Sequence, residues 1–324
     1  MLKSMLNSRF PALTIVLIIS ISGYGSGISK AKDAVISAFM AINTSPSVIN
    51  YLNDKEINNS GGHLQGIQWI ERTSGRYVVM TGSSDTYSYY SVVKLGDKNR
   101  VLSVNRLMDK PFKHAGGFQA FQNYMAVGIE DNSAKDKSMV CIYDISDPEK
   151  PTTEPLAVIK RSGEPLRSTA GCIGITKYRE KVLVAAGDWD TKHIDLYTSS
   201  FPLSINSFGE IYSFDMDKVS RTKWSDPNWW SYQNINLFTF NGNELYLIGL
   251  GQNSNNEDIA DLFSLEEASP GNFTLVKIAT KKFSCRNDAS FKAAAGVITD
   301  AKGHFSIISS GYNIHESSFL NLFE

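Results

Sequence analysis

A short pattern occurs five times between residues 63 and 311, and this repeat restricts the possible folds more than any other feature of the sequence. Each copy starts with a segment of small and polar residues, passes through a polar turn and continues into an apolar run that finishes with glycine. Repeated units of this kind bury their apolar faces only by packing against one another. The copies start at His63, His114, Thr169, Ser231 and Ala293, and their apolar runs cover 77–82, 124–128, 182–187, 245–249 and 305–311.

Further strand-like runs follow in each copy, for example 90–95 and 101–104 in the first. Runs of this length between Gly, Asn, Asp and Ser turns are typical of antiparallel strands. The fifth copy has a third run, 319–323, but no fourth, and the run 48–52 that precedes the first copy can supply it. The sequence therefore predicts an all-β fold: a single five-bladed β-propeller of four-stranded antiparallel blades, whose last blade is closed by an N-terminal strand.

The first residues have the pattern of an export signal. Lys3 and Arg9 precede an apolar run over 12–21, and the small residues of 22–27 follow it. We interpret 1–27 as a signal peptide, 28–44 as a short segment with a helix over 31–41, and 45–324 as the propeller. A buried strand and an uncleaved anchor are the alternatives for the apolar run. The interpretation predicts a secreted or periplasmic protein with no stable membrane insertion after removal of the signal.

Charge and cysteine content exclude some partners and sites. The chain has 32 Lys and Arg against 33 Asp and Glu, a net charge of −1, which gives no electrostatic reason to expect nucleic acid as a partner. Cys141, Cys172 and Cys285 show no metal-binding spacing, and we interpret them as structural.

The predicted fold places polar side chains on one face. In a propeller the start of each first strand and the end of each second strand share a face, which is the usual ligand funnel. The sequence predicts ligand-binding residues there: His63, Gln65, His114, Trp189, Asp190, Trp230, Tyr232, Gln233, Arg286 and Asp288.

Two histidines at equivalent repeat positions allow several interpretations. His63 and His114 can hydrogen-bond a neighbouring blade, or they can hold a divalent metal near Glu130 and Asp188, although no cofactor is predicted from a motif. Glu130 and Asp188 are also the candidate acid and base of a hydrolase acting on a glycan or a phosphoester.

The run 114–148 starts with Ala-Gly-Gly after His114 and ends in Tyr-Asp-Ile-Ser-Asp-Pro, and it resembles secreted bacterial β-propeller proteins. The Tyr-Asp-Ile-Ser-Asp-Pro element is also similar to that of LVIVD-type surface repeats. The resemblance implies a propeller and export, and it implies no catalytic residue. Similar proteins have a second cysteine soon after the position of Cys285, where this chain has Arg-Asn-Asp-Ala-Ser.

Five-bladed glycosidases present carboxylates at the channel centre, whereas the repeat starts here are His, His, Thr, Ser and Ala. We therefore expect a monomeric, exported, non-enzymatic binding protein for a small polar ligand, a glycan or a protein loop. A hydrolase that uses carboxylates at the funnel face, with or without a metal, is the alternative.

Overall fold

The computed structural model describes residues 24–200, 203, 208–299 and 304–324. The predicted export signal lies outside the described residues except for 24–27, which belong to a helix. This helix, α1 (Tyr24–Ala41), buries Val35 and Phe39, which are four residues apart and lie on the same helix face. No helix in the described part of the chain is long and apolar enough to cross a membrane.

The rest of the described chain consists of β-strands joined by turns. The strand β1 (Ser47–Leu52) is followed by five groups of consecutive strands, which we call units 1 to 5. Unit 1 contains β2 (Leu64–Arg72), β3 (Gly75–Ser83), β4 (Tyr87–Leu95) and β5 (Arg100–Asp109); unit 2 contains β6 (His114–Phe121), β7 (Tyr124–Glu130), β8 (Lys137–Asp144) and β9 (Ala157–Ser162). Unit 3 contains β10 (Cys172–Tyr178), β11 (Lys181–Gly187), β12 (His193–Ser200) and β13 (Gly209–Asp215); unit 4 contains β14 (Tyr232–Phe240), β15 (Glu244–Gln252), β16 (Asp258–Ser269) and β17 (Asn272–Phe283). Unit 5 contains β18 (Ala294–Thr299), β19 (Phe305–Ser310) and β20 (Ser317–Phe323).

The fourth strand of unit 5 comes from the other end of the described chain. β1 runs antiparallel to β20 over its whole length, with Ser47 opposite Leu322 and Leu52 opposite Ser317. Tyr51 is 1% exposed, so the added strand contributes to the core as well as to the ladder. This is the pairing that the incomplete fifth copy of the repeat predicts.

The sheets are larger than predicted. Instead of five separate four-stranded sheets, the described strands form two eight-stranded sheets and one four-stranded sheet. One parallel bridge, Leu52 to Arg100, joins the outer strands of units 5 and 1, and another, Gly117 to Cys172, joins the inner strands of units 2 and 3. A Cβ at Gly116 would lie 2.3 Å from Gly171 O, so this glycine lets the two chain segments approach, and the next residue, Gly117, donates its N–H to Gly171 O at 2.8 Å. The all-β class is confirmed, while the number of separate sheets was predicted wrongly.

The core of the described residues lies between the units. Five clusters of buried apolar side chains join units 1 and 2, 2 and 3, 3 and 4, 4 and 5, and 5 and 1. Burial of these faces is the main favourable term in folding. Because the cluster between units 5 and 1 completes the series, each unit packs on two neighbours.

The first strands of the units meet at the centre through amide side chains. Gln119 Nε2 donates to Leu237 O at 2.7 Å, and its Oε1 accepts the N–H groups of Ile175 and Leu237, both at 2.8 Å. Asn236 Oδ1 accepts the Val297 N–H at 2.6 Å and a hydrogen bond from Gln68 at 3.3 Å. These amides tie β2, β6, β10, β14 and β18 together and leave a cavity at each end of the five strands.

Candidate functional site

The larger cavity, of about 460 Å³, lies at the start of the inner strands. It is built from residues at the start of each inner strand and residues at or just after the end of each second strand, as the repeat predicts. The described lining residues are Gly61, Gly62, His63, Gln65, Ser83, His114, Asn132, Gly171, Trp189, Asp190, Ser231, Tyr232, Gln233, Gln252, Asn253, Asn256, Lys292 and Tyr312. A second cavity of about 290 Å³ lies at the opposite end of the same strands.

Seven of the ten predicted ligand-binding residues line the larger cavity: His63, Gln65, His114, Trp189, Asp190, Tyr232 and Gln233. Trp230, Arg286 and Asp288 are not among its lining residues. Trp230 packs against the core between units 3 and 4. Arg286 and Asp288 are exposed, and Asp288 lies in a turn with a φ of 60°.

His63 has hydrogen-bonding partners for both ring nitrogens. Its Nδ1 lies 2.6 Å from Leu64 O, and its Nε2 lies 3.1 Å from Gln65 Nε2. A carbonyl only accepts, so Nδ1 carries the proton and Nε2 accepts from the Gln65 amide. Burial, and a smaller effect of the neighbouring His114, lower the pKa of His63, which favours the neutral ring that this arrangement needs.

His114 stands between the cavity and a buried carboxylate. Its Nδ1 lies 3.0 Å from Glu130 Oε1, which is the distance of an ion pair, although the two groups are not aligned for a hydrogen bond. Glu130 is fully buried, and its Oε2 accepts the Ala170 N–H at 2.8 Å. A buried carboxylate needs such partners because it has lost its hydration. Glu130 therefore lies behind His114, and the imidazole is the group that reaches the cavity.

Trp189 connects His114 to the loop after β11. The rings of His114 and Trp189 have centroids 5.4 Å apart and an interplanar angle of 32°, and Lys135 Nζ lies 3.9 Å from the Trp189 centroid. The Trp189 N–H donates to Thr169 Oγ1 at 2.7 Å, which fixes the loop against unit 3. The next residue, Asp190, lines the same cavity as His114 and Trp189.

Asp188 and Asp190 differ in their environments. Asp188 is 4% exposed, and its carboxylate binds His193 through Nδ1 at 2.7 Å and through the backbone N–H at 3.1 Å. It holds a tight turn and does not line the cavity. Asp190 lines the cavity and is half-buried. No other Asp or Glu is among the described lining residues.

Tyr232 is a lining residue, but its ring packs against Trp229 in the core between units 3 and 4, and its hydroxyl is also bound inside the protein. The hydroxyl donates to Asp261 Oδ2 at 2.5 Å, and this carboxylate also pairs with the fully buried Lys277 at 2.7 Å. Burial and the Asp261 charge raise the pKa of Tyr232 well above its ordinary value. Tyr232 is therefore a structural anchor at the cavity, and its hydroxyl is not a proton donor to a ligand.

A metal at the two histidines would have to replace existing contacts. Among the residues that the structure describes, no three His, Cys, Asp or Glu side chains come together to hold a metal ion. His63 already uses both ring nitrogens, and His114 faces Glu130 with one of its own.

The cysteines lie apart from the cavity. Cys141 and Cys172 are buried, Cys285 is partly buried, and all three are free thiols. Burial raises the pKa of Cys141 to about 11, which is typical of a thiol that packs as a small apolar group.

Asn132 and Lys292 of the lining, and the central amides, are not among the residues that the sequence pattern predicted. Gln68, Gln119 and Asn236 occupy the sixth position of the first, second and fourth repeat starts. Polar residues at one repeat position inside strongly apolar strands are a signal that could have located the centre.

No protein-family model matches the chain, and no curated protein matches it. Solved structures do resemble it. A GH62 hydrolase in complex with xylotriose has a TM-score of 0.48 and 8% identity, with 89% of this chain and 100% of that chain covered. The catalytic domain of a Coprinopsis cinerea GH62 α-L-arabinofuranosidase has a TM-score of 0.49 and 11% identity, with 87% and 96% covered. The mannose phosphorylase MPT-4 from Leishmania mexicana, in complex with phosphate ion, has a TM-score of 0.48 and 12% identity, with 92% of each chain covered.

These matches correct the prediction of a non-enzymatic binding protein, because the similar structures are carbohydrate-active enzymes and include glycoside hydrolases. At such identities the likeness concerns the fold alone, so the reaction has to be inferred from the site.

Proposed function

We propose that the protein is a hydrolase that acts on a glycan bound in the larger cavity. One observation carries this proposal: the cavity brings a half-buried carboxylate, Asp190, together with an imidazole, His114, among amide and aromatic side chains. Carboxylates and imidazoles are the groups that most often transfer protons in hydrolysis. Amides and aromatic rings are suited to the hydroxyl groups and the apolar faces of a sugar.

The arrangement gives each group a role. Hydrolysis of a glycosidic bond needs one group to protonate the leaving oxygen and another to take a proton from the attacking water. We assign these two roles to Asp190 and His114, because the ring nitrogens of the other imidazole in the described lining, His63, are engaged by Leu64 and Gln65. Glu130 and Asp188, the candidates from the sequence, act indirectly: Glu130 supports the His114 ring from behind, and Asp188 holds the turn that carries Asp190.

The same proposal includes the finer features of the fold and location. Units 1 to 5 are the blades of a five-bladed propeller over 45–324, supported by the five cores between neighbouring units and by the β1–β20 pairing. The chain is exported to the periplasm or secreted, which the sequence pattern at 1–27 supports, and it acts as a monomer. It is a relative of the secreted bacterial propellers, which the run 114–148 supports by its resemblance to them.

The test is hydrolysis of a panel of neutral oligosaccharides by the full chain, followed as release of reducing ends. Asp190→Asn should lower kcat about a hundredfold or more, which is the usual effect of losing a general acid or base. Asp97→Asn, at an exposed position away from the cavity, is the matched control. The proposal is wrong if the wild type cleaves no member of the panel, or if both variants keep full activity.

A further inference from the structure

Two glutamines of the larger cavity have their amide nitrogens bound inside the protein. Gln233 Nε2 donates to Gln65 Oε1 at 2.6 Å. Gln252 Nε2 donates to Asp258 Oδ1 and to Ser290 Oγ, both at 3.1 Å. A glutamine amide donates only through nitrogen and accepts only through oxygen. In both residues the oxygen is therefore the end of the amide left for a ligand.

The orientation of Gln233 follows from a chain of hydrogen bonds that starts at His63. The Leu64 carbonyl requires the proton on His63 Nδ1, so His63 Nε2 accepts and Gln65 turns its amide nitrogen toward it. Gln65 Oε1 then faces Gln233 and takes the hydrogen bond from its nitrogen. The Gln65 amide nitrogen lies 3.1 Å from Nε2 and 3.3 Å from Nδ1 of His63, and only Nε2 can accept because the Leu64 carbonyl requires the proton on Nδ1.

The orientation of Gln252 is fixed independently by a carboxylate. Asp258 Oδ1 also accepts the Phe291 N–H at 2.9 Å and the Ser290 hydroxyl at 3.1 Å, so this oxygen acts as an acceptor toward three donors. A reversed Gln252 amide would place its oxygen against the Asp258 oxygen, with no proton between them. Two separate networks thus present an amide oxygen to the same cavity.

We infer that the larger cavity is an array of hydrogen-bond acceptors that selects a neutral, hydroxyl-rich sugar and discriminates against phosphoesters. The array consists of Gln233 Oε1, Gln252 Oε1 and the Asp190 carboxylate. This inference rests on the proposed function for the location of the site, and it adds that the glycan is neutral and that phosphate groups bind poorly.

The reason is complementarity of donors. A sugar hydroxyl can donate to the amide oxygens of Gln233 and Gln252, whereas the oxygens of a phosphate group mainly accept and would find no donor in these two amides. The described lining residues include one Lys and no Arg: Lys292, which is exposed. Phosphate recognition usually relies on several converging donors, such as Arg side chains or backbone N–H groups.

The experiment measures binding by calorimetry with the full wild-type chain, which keeps all three acceptors. The trisaccharide titrations are repeated with Asp190→Asn, in which cleavage of the probe is expected to be slower by about a hundredfold or more. The probes are xylotriose, cellotriose and maltotriose on one side, and glucose 6-phosphate and para-nitrophenyl phosphate on the other. At least one trisaccharide should bind tenfold or more tightly than either phosphate. Adding Gln233→Met or Gln252→Met should weaken that binding about tenfold each, as expected for one lost hydrogen bond to a neutral group.

Thr239→Val removes a polar group from the opposite cavity and is the matched control. Thermal unfolding of each variant shows whether it is folded. Because the two glutamine variants disturb different hydrogen-bond networks, the test remains decisive if only one of them folds. The inference is overturned if the phosphates bind as tightly as the sugars, if no probe binds, or if the folded glutamine variants behave like Thr239→Val. If the sugars bind as expected but the wild type cleaves none of them, the inference stands and the proposed function fails.

Discussion

Substitution of Gly296 by alanine tests how closely the inner strands approach one another. A Cβ at position 296 would lie 1.9 Å from Ile67 O and 2.4 Å from Gln68 Nε2. Because the first of these atoms is backbone, β18 and β2 must separate to admit the methyl group. Overpacking of a core costs about 1–3 kcal/mol. Moving β18 and β2 apart also stretches two hydrogen bonds to Asn236 Oδ1, one from the Val297 N–H and one from Gln68, at about 1 kcal/mol each.

The expected loss is therefore about 3–5 kcal/mol of unfolding free energy. At roughly 2 °C per kcal/mol for a domain of this size, Tm should fall by about 6–10 °C. Differential scanning calorimetry of Gly296→Ala measures this fall, and Gly96→Ala is the matched control because a Cβ there has no atom within 4 Å. Equal Tm values for the two variants would refute the close approach of β18 and β2.

Two further predictions concern titratable groups. Burial lowers the pKa of His63 below its ordinary 6.5, so below pH 6.5 the unfolded chain binds a proton at His63 that the folded chain does not. The free energy of unfolding should therefore fall as the pH drops from 6.5 toward the pKa of the folded protein. Urea unfolding at pH 7 and pH 5 measures this fall, which should be smaller in His63→Gln. An NMR titration midpoint for His63 at or above 6.5 would contradict this reasoning. With a pKa of about 11, the Cys141 side chain is a thiolate in about one molecule in a thousand at pH 8. Iodoacetamide should therefore leave Cys141 unmodified in the folded protein and label it in urea. Mass spectrometry measures the labelling. Rapid labelling of folded Cys141 would show that the strand is not buried.

The strands were predictable because each carries its own signal. Apolar runs that end in glycine gave the second strands, and the missing fourth strand of the last copy pointed to 48–52. The merging of sheets was not predictable, since it depends on single bridges such as Gly117 to Cys172, and glycines also occur in other inner strands, for example Gly66 and Gly296, for which the described strands show no such bridge.

The location of the site was predictable from topology, but the roles of its residues were not. Glu130 and Asp188 were chosen because they are carboxylates at strand ends, and a single sequence does not show that one faces His114 and the other His193. The direction of the Gln233 amide depends on a chain of contacts through Gln65 to His63, residues that are 168 and more positions away. Such directions emerge only when strands that are remote along the chain are brought together.

The pairing of β1 with β20 has a consequence for biosynthesis. Asn50 and Ser317, which hydrogen-bond across this pair, are 267 positions apart, so a growing chain on the ribosome carries β1 without its antiparallel partner until β20 has been made. Unpaired strands invite association with other chains. Products of premature termination before residue 317 would keep the β20-facing edge of β1 unpaired. We expect the cell's proteases and chaperones to recognise such products by this exposed edge.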